Sequence, residues 1–167
     1  MSVALKVSTI KHPIFEKLIV DHISNGLKDT IAQLGAFNVE FKPHFFSDTW
    51  NAPTQISVLM DLKQNEQPVQ VRLHFHREPV ASILETMLGD KVDPNSSDVI
   101  DGVGEICNMI YGLIKTKANT NGFSLGMARP EANFTEKMPT IVNKHQALII
   151  PFCINNFECY FQFIVFE

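Results

Sequence analysis

Between Ile14 and Phe75 the apolar residues change their spacing from that of a helix to that of a strand, which excludes both an all-helical and an all-β fold. Ile14, Leu18, Ile19, Ile23, Leu27, Ile31 and Leu34 recur at helical intervals, after a Pro13 that a first turn tolerates and before Gly35. They predict an amphipathic first helix. From Phe37 the period is two, with Phe37, Val39, Phe41 and Phe45 alternating with Asn38, Glu40, Lys42 and His44, as in a half-buried strand. Asn51 and Pro53 interrupt it. Ile56, Val58, Met60 and Leu62 then alternate with Gln55, Ser57 and Asp61. After a turn over residues 64–68, Val69, Val71, Leu73 and Phe75 alternate with Gln70, Arg72, His74 and His76. The two runs predict an antiparallel hairpin whose polar side is an exposed face or a dimer contact.

Pro79 opens a short helix through Leu84 and Leu88, and Gly89 is placed to close it in the left-handed conformation. Ser96, Ser97 or Asp98 caps a longer helix reaching about Ala118, with Asp98 and Asp101 early, where the helix dipole favours acids. The Asn- and Gly-containing cluster at 119–122 ends it. Residues 123–144, with Pro130 and Pro139, show no clear period. Residues 148–154 and 157–166 read as strands joined by Asn155-Asn156, a pair that tolerates positive φ. Pro151 cannot donate to a ladder, so its strand is an edge there or carries a bulge. In the last strand Phe157, Phe161, Phe163 and Val165 oppose Tyr160, Ile164 and Phe166. Apolar on both sides, it is either central and doubly covered or paired with another subunit. No internal repeat or linker is present. This order predicts an α+β fold, a mainly antiparallel sheet with long helices packed on one face, as a single domain over residues 1–167.

Composition narrows the function classes. Of 167 residues 45% are hydrophobic and 19% charged, which suits a packed globular domain and excludes disorder. A formal net charge of −4 lacks the basic footprint of phosphate-backbone binding, so nucleic acid is not an expected partner. The longest apolar run, residues 147–154, is broken by Pro151 and far shorter than the roughly 20 residues that span a bilayer. Residues 1–11 have no signal-peptide core, and membrane insertion is not expected. Three cysteines without a CxxC pair suit reduced thiols, and the expected compartment is the cytoplasm.

On the long helix, Asp101, Glu105, Asn108 and Gly112 fall in a sector roughly 60° wide, with Lys115 adjoining. Val103, Ile106, Cys107, Ile110, Leu113 and Ile114 occupy the other side, so burying them aims the polar stripe at solvent. Any amphipathic helix has such a solvated face, and spacing alone does not separate that from a site. Gly112 is less ordinary, because glycine in a helix interior costs about 1 kcal/mol relative to alanine and suggests a close approach to the backbone.

The string Asp101-Gly-Val-Gly-Glu105-Ile-Cys-Asn108-Met-Ile-Tyr-Gly112 resembles the D-x-x-x-E-x-x-N-x-x-x-G helix signature of the CheC/CheX/FliY family of chemotaxis phosphatases, and its single copy is similar to the CheX branch in particular. Family members carry a proline a little over twenty residues after the asparagine, and Pro130 stands near that place. The resemblance implies a phosphatase for the aspartyl phosphate of a CheY-type response regulator, pairing as a homodimer through sheet edges. It implies that Asn108 orients the attacking water and Glu105 pairs with a lysine of the regulator. Asp101, through charge or capping, and Gly112, by admitting the partner's surface, have supporting positions. Magnesium is expected on the response regulator, and no cofactor or metal on this chain. The rival expectation is a non-catalytic adaptor of the same fold, of flagellar-switch or signalling type, that docks on a regulator without hydrolysing anything. His74 and His76 lack a third ligand at useful spacing. Cys107, on the buried side of the helix, reads as a filler rather than a nucleophile.

Overall fold

The computed structural model describes residues 12–16, 18–141 and 146–166; residues 1–11, with their expected lack of a targeting signal, lie outside them. The helices are α1 (Ile19–Leu34), α2 (Arg77–Leu88) and α3 (Ser97–Thr120). The strands are β1 (Val39–Phe41), β2 (Phe45–Ser47), β3 (Ile56–Gln64), β4 (Gln67–Phe75), β5 (Glu131–Phe134), β6 (Ala147–Ile154) and β7 (Phe157–Val165). They form one sheet in the order β1-β6-β7-β4-β3-β5, with β2 also on β6. Every pairing is antiparallel. One face, including Val58, Met60, Val71, Leu73, Ile150, Phe161 and Phe163, joins the buried faces of α1, α2 and α3 in a single apolar cluster. The α+β expectation, with helices on one face, holds.

The first helix is interrupted. Pro13–Glu16 is a single 3-10 turn, Leu18 takes a left-handed φ of 58° and is 68% exposed, and α1 begins at Ile19. Ile14 and Ile19 lie five residues apart, about 140° apart around a continuous helix, so both reach the core only if the chain breaks between them. The strand expected from Phe37 divides at residues 42–44, around Pro43, into β1 and β2. Pro151 of β6 faces that gap, where its carbonyl accepts from the Lys42 N–H at 3.0 Å and its missing donor has no strand partner to disappoint. Between Phe41 opposite Phe152 and Phe45 opposite Ile149 three residues face two, so the irregularity at Pro151 is a bulge carried by the facing segment, 42–44. The hairpin of β3 and β4 pairs Ile56 with Phe75 through Gln64 with Gln67. Its turn places Asn65 at φ 54°, and Asn155 plays the same part between β6 and β7 at φ 55°.

β7 lies between β6 and β4, which occupy both its edges, and from Cys159 to Val165 both its faces are buried within the chain, so its apolar sides give no support to pairing with a second subunit. The unpatterned stretch after Phe123 contributes β5, which takes an outer edge by pairing Phe134 with Ile56. On β4 the polar side is not an exposed face. Gln70, Arg72 and His74 are buried. The Trp50 ring lies 5.6 Å from that of His74, and the Pro139 carbonyl accepts from Arg72, so loops distant in sequence roof this face.

Candidate functional site

Close packing fixes α3 in place. A Cβ on Gly26 of α1 would meet Ile114 Cγ1 at 2.4 Å, and one on Gly102 would meet Leu84 of α2 at 2.5 Å, so two glycines let the neighbouring helices approach. Ser96 precedes the helix in extended conformation, but its hydroxyl donates to the Asp93 carbonyl rather than to the helix N–H groups. Val99, Val103, Ile106, Cys107, Ile110, Tyr111, Ile114 and Ala118 are buried, while Leu113 is half-buried. The apolar side of α3 thus lies as the periodicity predicts.

After α3 the chain folds back along it. Asn119 uses both ends of its amide on the Leu125 backbone, donating at 3.0 Å and accepting at 2.7 Å, and Tyr111 donates its hydroxyl to the Gly126 carbonyl at 2.5 Å. These bonds carry residues 128–130 to the exposed side of α3. There a shallow cavity of about 490 Å3 is lined by Asp101, Gly104, Glu105, Asn108, Arg129 and Pro130 among others. Asp101, Glu105, Asn108 and Gly112 are all exposed.

Within the described residues none of the side chains of Asp101, Glu105 and Asn108 has a hydrogen-bond or ion-pair partner. Glu105 and Asn108 therefore stand one turn apart on a rigid helix with their full bonding capacity unspent. Asp101 caps nothing, since the first-turn acid is Asp98 and Asp101 lies a turn further on. Gly112 would present a Cβ to open space, with nothing within 4 Å, so nothing among the described residues accounts for its cost. Pro130 shares the cavity, in keeping with the motif's spacing. Arg129 is a site residue that periodicity could not find, because it sits in the unpatterned stretch; its one sequence signal is to precede Pro130.

The other reactive side chains are engaged elsewhere. Cys107 is fully buried, and burial raises its thiol pKa well above the ordinary value, which removes it as a nucleophile. Burial likewise pushes Cys159 up to about 12. His74 has one ring nitrogen 2.6 Å from Ser57 Oγ and the other 2.9 Å from Gln162 Oε1, leaving neither for a metal. Burial holds its pKa down at about 4. His76 instead precedes α2 and packs its ring against Phe157.

No match was found among curated proteins. Among solved structures, the chemotaxis protein CheX from Desulfovibrio desulfuricans superposes with a TM-score of 0.76 at 19% identity, covering 88% of this chain and 98% of that one. CheX from Vibrio vulnificus gives 0.74 at 19% identity, with 88% and 98% covered. The CheX–CheY–BeF3–Mg2+ complex from Borrelia burgdorferi gives 0.68 at 19% identity, with 92% and 97% covered. At such identities the likeness establishes the fold. The model of the family described as chemotaxis phosphatase CheX matches residues 56–153, more than half of the chain and all of α3. On that match the chain belongs to the CheX family of chemotaxis phosphatases.

Proposed function

We propose that this chain hydrolyses the aspartyl phosphate of a CheY-type response regulator, acting in the cytoplasm as a homodimer. The observation that carries the reading is the exposed pair on α3: Glu105 and Asn108 project from one rigid element, their side chains without a partner among the described residues. The solved CheX–CheY complex among its structural relatives supports a regulator of that type as the partner.

The chemistry asks little of the phosphatase. An acyl phosphate is intrinsically reactive, and its regulator supplies the magnesium and lysine that hold the phosphoryl group. What remains is to place water in line with the breaking P–O bond. Positioning of this kind contributes about 7 to 11 kcal/mol in favourable models, and phosphoryl transfer depends chiefly on it and on electrostatics. The Asn108 carboxamide suits the task because it can accept from and donate to water and carries no charge to repel phosphoryl oxygens. Glu105 offers a carboxylate to the regulator's lysine and sets the docking register. Arg129, which lines the same cavity, offers a cation to the acidic rim of the partner's pocket. The edge at β5 leaves backbone groups for a second copy.

The test measures the lifetime of a phosphorylated CheY-type regulator with and without this chain. The proposal expects a shortened lifetime and a loss of the acceleration of about 100-fold in Asn108→Ala, the scale of a misplaced reactant. Binding with an unchanged lifetime would establish the adaptor reading instead.

A further inference from the structure

On the sheet face turned away from α3 lies a larger cavity of about 640 Å3, in the size range of small-molecule sites. Its lining includes Trp50, Arg72, His74, Thr135 and Gln162. Arg72 is 6% exposed and Gln162 4%. Their bonding is incomplete. Arg72 Nε donates to Gln70 Oε1 at 2.7 Å and Nη2 to the Pro139 carbonyl at 2.8 Å, which uses two of its five N–H groups. The ion pairs among the described residues, Lys42 with Glu158 and Lys117 with Asp29, do not include it. Gln70 in turn donates to the Asp61 carboxylate at 2.8 Å, and that carboxylate acts on the Arg72 charge through space, without a direct ion pair.

His74, neutral in this setting, donates its Nε2–H to Gln162 Oε1 and accepts from Ser57, whose oxygen lies 2.8 Å from Thr135 Oγ1. That leaves the Gln162 amide nitrogen with two donors and no acceptor among the described residues. Buried donors are almost always satisfied, so the remaining N–H groups of Arg72 and the Gln162 amide are open positions. Trp50, its ring 4.9 Å from Tyr160 and its indole N–H also without an acceptor among the described residues, forms a flat wall beside them. The same lining carries two acids, Glu136, which is exposed, and Asp48, which is half-buried.

We infer that this cavity is a second binding site, for a small organic carboxylate with a flat apolar body. The carboxylate oxygens accept from Arg72 and Gln162, and the body packs on Trp50. No bond in the ligand is made or broken, and the site is separated by the sheet from Glu105 and Asn108.

Trp50 is the one tryptophan of the sequence, so fluorescence excited selectively at tryptophan, away from the two tyrosines, reads the wall of this cavity. Benzoate and inorganic phosphate are titrated separately into the whole protein at constant ionic strength, with the melting temperature read in parallel. Benzoate is expected to give a saturable fluorescence change and a rise in Tm by mass action. Arg72→Gln is expected to weaken the binding at least tenfold. Gln162→Met, a second variant that keeps the cation, is expected to weaken it too. No saturable change and no Tm rise with benzoate in the native protein overturns the proposal, whatever the variants do. A response to phosphate alone overturns the carboxylate assignment, and a signal that follows protein concentration rather than benzoate gives the face to a second copy and overturns it as well.

Discussion

Asn108 and Gly112 lie on one stripe of α3 and make opposite demands on stability. Asn108 has an exposed amide with no bond inside the described chain, so Asn108→Ala is expected to leave the fold within about 0.5 kcal/mol of its starting stability, as surface changes do. Gly112→Ala fills open space and removes a helix-interior glycine, so thermal or chemical denaturation should show a gain of about 0.5 to 1 kcal/mol. If the glycine admits a partner's surface, the same change weakens regulator binding, and a variant both more stable and unimpaired would remove Gly112 from the interface. His74 carries a pH dependence of definite sign. Its pKa falls from 6.5 to about 4 on folding, so its contribution is complete above 6.5 and is lost as pH drops toward 4. Unfolding free energies should fall by about 2 kcal/mol from this group between pH 7 and pH 5, and His74→Gln should flatten that part of the profile. The stripe of Asp101, Glu105, Asn108 and Gly112 was legible because helical periodicity is local. The burial of Arg72 and His74 was not, because the groups that roof them, Trp50 and Pro139, are far away in sequence and carry no periodic signal.

The helices owe their arrangement to two close crossings. At Gly26 an added Cβ would come within 3.1 Å of Ile114 backbone as well as 2.4 Å of its side chain, so the neighbour cannot simply rotate away. Gly26→Ala should therefore destabilise the fold by about 1 to 3 kcal/mol, the cost of overpacking, despite alanine's better helix propensity, and denaturant midpoints compared with Gly112→Ala would show the two substitutions moving in opposite directions. The elements themselves were read with most of their bounds: both hairpins, α2 with its left-handed Gly89, and α3 follow from period and turn residues. Three were not. The break at Leu18 arises from the demand to bury both Ile14 and Ile19, which a list of apolar residues does not weigh. The gap between β1 and β2 is set by Pro43 together with Pro151, a partner more than a hundred residues away. β5 is short, and only its two half-buried residues, Ala132 and Phe134, alternate, too little to register as a strand.

Across the whole molecule the sheet separates two environments. The helical face carries the core and holds α3 so that its outer stripe meets solvent, while the other face sets buried polar groups, Ser57, Arg72, His74 and Gln162, among buried Leu59, Ile149 and Ile164. The proposed hydrolysis uses only the first. It needs α3 held still, the 125–130 segment tied back by Asn119 and Tyr111, and a foreign acidic cleft to receive Glu105 and Asn108. The two residues then have separable duties, one in chemistry and one in docking. The decisive measurement is single-turnover dephosphorylation of a phosphorylated CheY-type regulator alongside its binding affinity, for the native chain, Asn108→Ala and Glu105→Gln. The account predicts that Asn108→Ala keeps its affinity within a few-fold while losing about 100-fold in rate, and that Glu105→Gln loses chiefly affinity. Unchanged rate and affinity in both variants would contradict it.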